Sequence, residues 1–95
     1  NGIDNLAILA GSLVAYPNPF SHQIMIEYNL ESSEKITVQL VDIEGRIQET
    51  FLTGQFQEIG KHQQNLIVSD CLPHGTYFIV LSSPTGKASI KVILE

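Results

Sequence analysis

The sequence predicts an all-β fold, namely a seven-stranded immunoglobulin-like sandwich of two sheets. Three observations support this prediction. Apolar residues recur at every second position in most segments, which is typical of strands that have one face on a core. Turns rich in glycine and proline separate these segments at intervals of roughly 8–12 residues. No stretch of helical length shows the 3.6-residue period of an amphipathic helix.

The first two predicted strands, residues 13–16 and 23–30, are separated by the motif YPNPF at Tyr16–Phe20. Pro17 and Pro19 fix their own φ angles and push the residues before them toward extended conformations. Because proline cannot pair within a central strand, we expect this segment to lie between strands or at an edge. We interpret it as a rigid corner, in which Asn18 separates the two prolines. The corner is expected to carry the chain from one sheet to the other while Phe20 closes the open end of the core.

The second and third strands, residues 23–30 and 35–41, show the clearest alternation. The residues expected to point inward are Ile24, Ile26, Tyr28, Leu30, Ile36, Val38 and Leu40. A hairpin turn is then predicted at VDIEGR, because Asp42 can bond the backbone two residues on and Gly45 can adopt a positive φ. The fourth strand, residues 46–52, is less regular, and its pattern places Glu49 on the same face as Ile47 and Phe51.

The last three strands follow a longer connection that Gly54 and Gly60 bracket. The fifth, residues 61–68, begins polar and becomes apolar. The sixth, residues 76–81, is apolar on both faces, so we expect it in the middle of a sheet. The seventh, residues 87–94, alternates again and is expected at a sheet edge, with Lys87 and Lys91 pointing outward. Turns that contain Gly75 and Gly86 precede these two strands.

Composition limits the function further. The 95 residues are enough for one domain, and the single cysteine cannot form an internal disulfide. The formal charge of −5 argues against a nucleic-acid partner and against an anionic membrane surface, since both require a basic face. No apolar stretch is long enough to span a bilayer.

Three groups of residues could in principle carry chemistry, and for each a simpler interpretation is favoured. Cys71 and His74 could pair as nucleophile and base, but no orienting acid accompanies them, so we expect Cys71 to be a partly buried thiol. His22, His62 and His74 lack the tight spacing of a zinc site. Asp42 and Glu44 offer too few ligands for calcium. The seven aromatic residues are expected in the core.

The order of the motifs resembles a known family. The corner YPNPF followed by an alternating strand resembles the start of the type A C-terminal sorting domain of type IX secretion cargo from Bacteroidetes-type bacteria. ITVQLVDIEGRIQE, GQFQEIGKHQQNL and LPHGTYFIVLSSPTGKASIKVILE are similar to later segments of that family, in the same order. The resemblance extends from about residue 13 to residue 95.

The resemblance implies that the domain acts as a sorting signal, here called an address, and not as a catalyst. Residues 13–95 would be the sorting domain and residues 1–12 a linker from an upstream cargo domain. The cargo would cross the periplasm of a Gram-negative bacterium to an outer-membrane translocon, and a surface sortase would cut in or near Ala10, Gly11 and Ser12. The cargo would then reach the cell surface or the medium. The residues expected to be recognised are Gly75, Tyr77, Gly86, Lys87, Lys91, Val92, Ile93, Leu94 and Glu95.

A second function remains open, namely a non-catalytic spacer or carbohydrate-binding module of a secreted surface enzyme. Sugar binders usually expose aromatic rings, of which this chain offers few candidates, and catalysis is a distant third interpretation. Neither the sorting domain nor the spacer requires a metal, a cofactor or a small-molecule substrate. The oligomeric state is left open, because an unpaired edge strand can pair with a second copy.

Overall fold

The chain forms a two-sheet sandwich in a computed structural model, which describes residues 13–84 and 86–95. The strands are β1 Val14–Tyr16, β2 Gln23–Leu30, β3 Glu34–Asp42, β4 Ile47–Gln57, β5 Gly60–Ile67, β6 Gly75–Ser83 and β7 Gly86–Leu94. Within the described ranges there is no helix, and therefore none that could cross a membrane. The predicted all-β sandwich of seven strands is confirmed.

The strands divide into a three-stranded sheet, β1-β2-β5, and a four-stranded sheet, β4-β3-β6-β7. Every neighbouring pair is antiparallel. β6 lies between β3 and β7, as its apolar residues on both faces predict, and β7 lies at the edge. Here β4 belongs to the sheet that contains β3, β6 and β7. In a constant-type immunoglobulin domain, the fourth strand belongs instead to the sheet that contains the first, second and fifth strands.

Alternating residues from both sheets build one core. All seven inward positions predicted for the second and third strands are at most 2% exposed. The buried apolar residues are Phe20, Ile24, Ile26, Tyr28, Leu30, Ile36, Val38, Leu40, Leu66, Val68, Tyr77, Ile79, Leu81, Ala88, Val92 and Leu94. Val92 and Leu94 alternate with exposed neighbours along β7, so the last strand is held by its inner face.

One buried hydrogen bond joins the two sheets through this core. The hydroxyl of Tyr28 on β2 donates to Oε1 of Gln57 on β4. Gln57 is only 5% exposed, and it is the one polar residue buried within the described ranges. Burial raises the pKa of Tyr28, so the phenol stays protonated and remains a donor.

The fourth strand differs from its sequence prediction. The pairing of β3 with β4 shifts register between Leu40 and Val41, where the bulge puts Ile47 on the outer face and Glu49 opposite inward-facing Leu40. Ile47 is 58% exposed, so the predicted shared face with Glu49 is wrong. β4 also continues to Gln57, which leaves only residues 58 and 59 to connect it to β5 instead of the expected longer connection.

Three aromatic side chains lie outside the core, contrary to prediction. Phe56 is 58% exposed because it sits opposite Lys35 on the outer face, and Tyr16 is 44% exposed on the short edge strand β1. Phe78 is partly buried but faces outward on β6, and the other four aromatic side chains belong to the core or pack against it. Period-two alternation does not determine which face is inward near a bulge or on a three-residue strand, and Phe56 and Tyr16 lie in such places.

Candidate recognition surface

The YPNPF corner does not carry the chain between sheets. β1 and β2, on either side of it, are neighbours in the same three-stranded sheet, so that prediction is wrong. Between them the chain leaves the sheet and touches the other one, where Phe20 forms a parallel bridge with Leu94 of β7. Phe20 is 2% exposed, which confirms that it closes one end of the core. Both prolyl bonds in the corner are cis.

The corner is hydrogen-bonded to the last strand. The N–H of Phe20 donates to the carbonyl of Ile93 at 2.9 Å, and the N–H of Glu95 donates to the carbonyl of Phe20 at 2.8 Å. The side chain of Asn18 donates to the carbonyl of Lys91 at 3.3 Å and accepts from the N–H of Ile93 at 2.9 Å. The outer edge of β7 is therefore occupied from Lys91 to Glu95.

This contact changes the expectation that β7 offers a free edge. Ile93 directs its backbone groups toward the corner, and alternation places those of Lys87 and Ser89 on the same side. In the described part of β7, the stretch left open for an added strand is thus the N-terminal half. A partner that paired along the whole strand would have to displace Asn18 and Phe20.

Tyr77 anchors the start of the central strand. Its ring is 5% exposed, and its hydroxyl donates to the carbonyl of Pro73 at 2.6 Å. A tyrosine near the start of this strand that bonds back to the backbone upstream is the tyrosine corner of immunoglobulin-like domains. The bond holds the loop before β6 against the end of the sandwich.

The predicted turn after β3 is confirmed in its details. Oδ1 of Asp42 accepts from the backbone N–H groups of Glu44 and Arg46, each at 2.9 Å. Gly45 has a φ of 87°, which is in the region that favours glycine. Oδ2 of Asp42 also accepts from Nε of Arg46 at 2.9 Å and from the side chain of Gln48 at 3.0 Å. The pKa of Asp42 is held below its ordinary value. The hydrogen bond from the backbone N–H of Arg46 is the largest cause, and the bond from the Arg46 side chain lowers the pKa further.

Motif residues that are distant in sequence meet at this end of the sandwich. Asp42, Tyr77 and Val92 form one row across β3, β6 and β7. Gly75 pairs with Leu94, which in turn bridges to Phe20. Two other predicted residues, Gly86 and Lys87, lie at the opposite end of the β6–β7 hairpin, where Gly86 pairs with Ser83. The expected recognition residues are therefore divided between two ends.

The expected recognition residues from Lys87 to Glu95 also differ in exposure. Val92 and Leu94 are 0% and 4% exposed, so in the folded domain their side chains belong to the core. Lys87, Lys91, Ile93 and Glu95 are exposed and available for contact. In the folded domain, β7 therefore presents only its outward side chains for contact, while the inward ones belong to the core.

A groove at the same end contains residues that sequence analysis did not select. It lies between the β3–β4 turn and the loop before β6, and Ile43, Ile47, His74 and Tyr77 line part of it. Ile43 is 70% exposed, although it is a large apolar residue. Its exposure could have been predicted from its position inside the turn VDIEGR, because an apolar side chain in such a turn cannot reach the core.

The residues considered for chemistry do not assemble into a site. Cys71 is exposed, so the expected partly buried thiol is wrong. Its backbone N–H bonds to the hydroxyl of Ser69, at 3.2 Å, in a tight local turn. His62 stacks on Tyr28 with ring centroids 5.5 Å apart, whereas His22 lies beside the other end of β2. Across residues 13–84 and 86–95, no three His, Cys, Asp or Glu side chains are grouped to hold a metal ion.

The expected cleavage region, Ala10, Gly11 and Ser12, lies outside the described residues. A comparison with curated proteins found no match. A comparison with protein-family models matched residues 14–95 to the secretion system C-terminal sorting domain. The match begins at the first residue of β1 and covers both the corner and the β6–β7 hairpin. This chain therefore belongs to the family of type IX secretion C-terminal sorting domains.

Proposed function

We propose that residues 13–95 are a folded address that an outer-membrane translocon recognises, and that residues 1–12 link this address to an upstream cargo domain. The cargo crosses the periplasm with the address attached. A surface sortase then cuts in or near Ala10, Gly11 and Ser12, and the cargo reaches the cell surface or the medium. The family match from residue 14 supports this division, because it begins just after the proposed linker.

The observation that carries the proposal is the convergence of family motifs at one end of the sandwich. The corner at Asn18–Phe20 is hydrogen-bonded to Lys91, Ile93 and Glu95, although about seventy residues separate them in sequence. A surface assembled from both ends of the domain exists only after folding. The translocon would therefore recognise this domain only after it has folded. Recognition of this kind requires no catalysis by the domain.

Fusion of the 95-residue chain to the C-terminus of a secreted fluorescent protein tests the proposal in a bacterium that has type IX secretion. We expect fluorescence at the surface or in the medium, and loss of the tail after a cut within residues 10–12. Replacement of Ala10, Gly11 and Ser12 by proline should leave the tail attached. Retention of the unaltered fusion in the periplasm, with its tail intact, would contradict the proposal and favour the spacer or sugar-binding alternative.

A point substitution tests recognition by β7 more sharply than a deletion does. Removal of Lys91–Glu95 should block export, but it also removes Val92 and Leu94 from the core. Ile93→Glu changes a side chain that is 39% exposed and leaves the core intact, so we expect a folded domain that is not exported. Ile67→Glu is the matched control, since Ile67 is 60% exposed on the other sheet. Equal export of both variants would contradict recognition at β7.

The carbohydrate-binding alternative gains no specific support from the exposed aromatic residues. Tyr16 lies on β1 of the three-stranded sheet, whereas Phe56 lies on β4 of the other sheet. Sugar rings stack on aromatic side chains that share one surface. Two rings on different sheets do not form such a platform.

A further inference from the structure

The outer face of the four-stranded sheet has a charge opposite to that of the chain as a whole. Its outward positions on β3, β6 and β7 are Lys35, Thr37, Gln39, Val41, Thr76, Phe78, Val80, Ser82, Lys87, Ser89, Lys91 and Ile93. These positions hold three of the five Lys and Arg residues in the chain and no acidic residue. The chain has a formal charge of −5, so its basic residues are concentrated on this surface, here called the basic face.

An apolar strip crosses the basic face. Ile47, Val41, Phe78 and Lys91 are in register across β4, β3, β6 and β7, so three apolar side chains lead to a lysine. Val80 lies next to Phe78 on the same face of β6. A shallow groove follows this region and is lined by Val41, Ile43, Phe78, Val80, Lys87 and Ser89, with Asp42 and Gly45 at the turn.

Two lysines of this face, Lys87 and Lys91, have no carboxylate partner among the described residues. Neither Lys87 nor Lys91 forms an ion pair with another described residue, and both side chains are exposed. The nearby carboxylates of Asp42 and Glu44 are instead bonded to Arg46 at 2.9 Å and 3.1 Å. Lys87 and Lys91 are four positions apart on one strand, which separates them by roughly 13 Å.

We propose that the basic face docks a protein partner whose contact surface carries carboxylates around apolar side chains. The lysines would meet the carboxylates, and the strip of Val41, Phe78 and Val80 would be covered by the apolar side chains. The apolar strip favours a protein over an anionic glycan, because hydrated phosphate and hydroxyl groups lose hydrogen bonds to water when they cover the aliphatic side chains of Val41 and Val80, whereas apolar side chains do not. This inference rests on the proposed function and identifies the chemistry of the partner, which contacts the face of β7 and not its occupied edge.

An NMR titration of the isotope-labelled 95-residue chain tests this chemistry directly. The probe is a capped peptide in which glutamate alternates with valine, compared with a peptide of alternating glutamate and serine and with inorganic polyphosphate. We expect the first probe to shift the amide signals of the outward positions of β3, β6 and β7, and the others to shift them far less. Absence of shifts with the first probe would overturn the proposal. Equal or larger shifts with polyphosphate would overturn it in favour of an anionic glycan.

Matched charge reversals determine whether this face is the binding surface. Lys91→Glu should lower the affinity for the glutamate–valine peptide about fivefold at low salt. Lys61→Glu makes the same change on the other sheet and should leave the affinity unchanged. Val80→Thr should also weaken binding, since it places a hydroxyl in the apolar strip. Thermal unfolding shows that each variant is folded. Equal affinity of the Lys91 and Lys61 variants would overturn the proposal.

The export assay separates failure of this inference from failure of the proposed function. If the unaltered fusion is not exported, the address itself is contradicted. If the unaltered fusion and a folded Lys87→Glu/Lys91→Glu variant are exported equally, only docking through the basic face is overturned. Loss of export for that variant, with normal export for Lys61→Glu, supports both.

Discussion

The side chain of Asn18 accepts a hydrogen bond of 2.9 Å from the backbone N–H of Ile93, 75 positions further along the chain. The same amide group donates to the carbonyl of Lys91, two residues earlier on β7. The side chain of Asn18 therefore forms hydrogen bonds with one backbone N–H and one backbone carbonyl on an exposed strand edge. Edge strands are sites of unwanted pairing, and covering the edge is one way in which proteins prevent it.

Asn18→Ala should open this part of the edge. We expect a loss of about 1 kcal/mol in the free energy of unfolding, since two hydrogen bonds are replaced by contacts with water. Hydrogen exchange at the Ile93 amide should become faster, while amides between β6 and β7 remain protected. Asn65→Ala is the control, because the side chain of Asn65 bonds to the side chain of Gln23, at 3.4 Å, on the other sheet. Unchanged exchange at Ile93 would show that Asn18 does not protect it.

Tyr77→Phe should destabilise the domain by about 1 kcal/mol, because it removes the hydroxyl that donates to the carbonyl of Pro73. The ring is retained, so packing in the core is unchanged. Urea unfolding measures the effect, and Tyr16→Phe serves as the control, since the Tyr16 hydroxyl bonds to Glu27 at an exposed position. A larger loss for the Tyr16 variant would contradict an anchoring role for Tyr77.

Tyr28→Phe should cost about 1–3 kcal/mol, because it leaves the buried amide of Gln57 without the Tyr28 hydroxyl as its partner. The double variant Tyr28→Phe/Gln57→Leu removes both polar groups, and it should recover part of that loss. A double-mutant cycle measured by urea unfolding gives the interaction energy between these two side chains, which belong to different sheets. Additive effects would mean that the bond contributes no coupling.

Asp42 should make the domain more stable at neutral pH than in acid. Its pKa is lowered in the folded state, so its contribution is complete above the ordinary carboxyl pKa and is lost as the pH falls through the lowered value. Asp42→Asn should flatten the acid side of a plot of unfolding free energy against pH. An unchanged slope would contradict this assignment.

Arg46→Gln distinguishes the two causes of the lowered pKa. The backbone N–H of Arg46 is the largest cause, and this variant retains it while removing the guanidinium. The pKa of Asp42, followed by NMR titration, should therefore rise only part of the way toward the ordinary value. A complete return would mean that the charge of Arg46, not its backbone, holds the carboxylate ionised.

The sequence by itself determined the strands, most of their inward residues and the turn at Asp42–Gly45. These features depend on local chemistry, because side chains alternate along any strand and a short polar side chain can bond a nearby backbone. Ile24, Ile36 and Val38 are in the core for this reason. The same local argument failed for Ile47 and Phe56, since a bulge changes the face without changing the composition.

The tertiary structure alone decided which distant segments meet. Alternation does not say which strands are neighbours, so nothing in YPNPF showed that Asn18 would bond to Ile93 or that the chain would return to the same sheet. The basic face likewise exists because strand order places Lys35, Lys87 and Lys91 on one surface. Hydrogen bonds between strands and the grouping of charges are set by pairing across the whole chain, and the pattern within a single segment contains no information about that pairing.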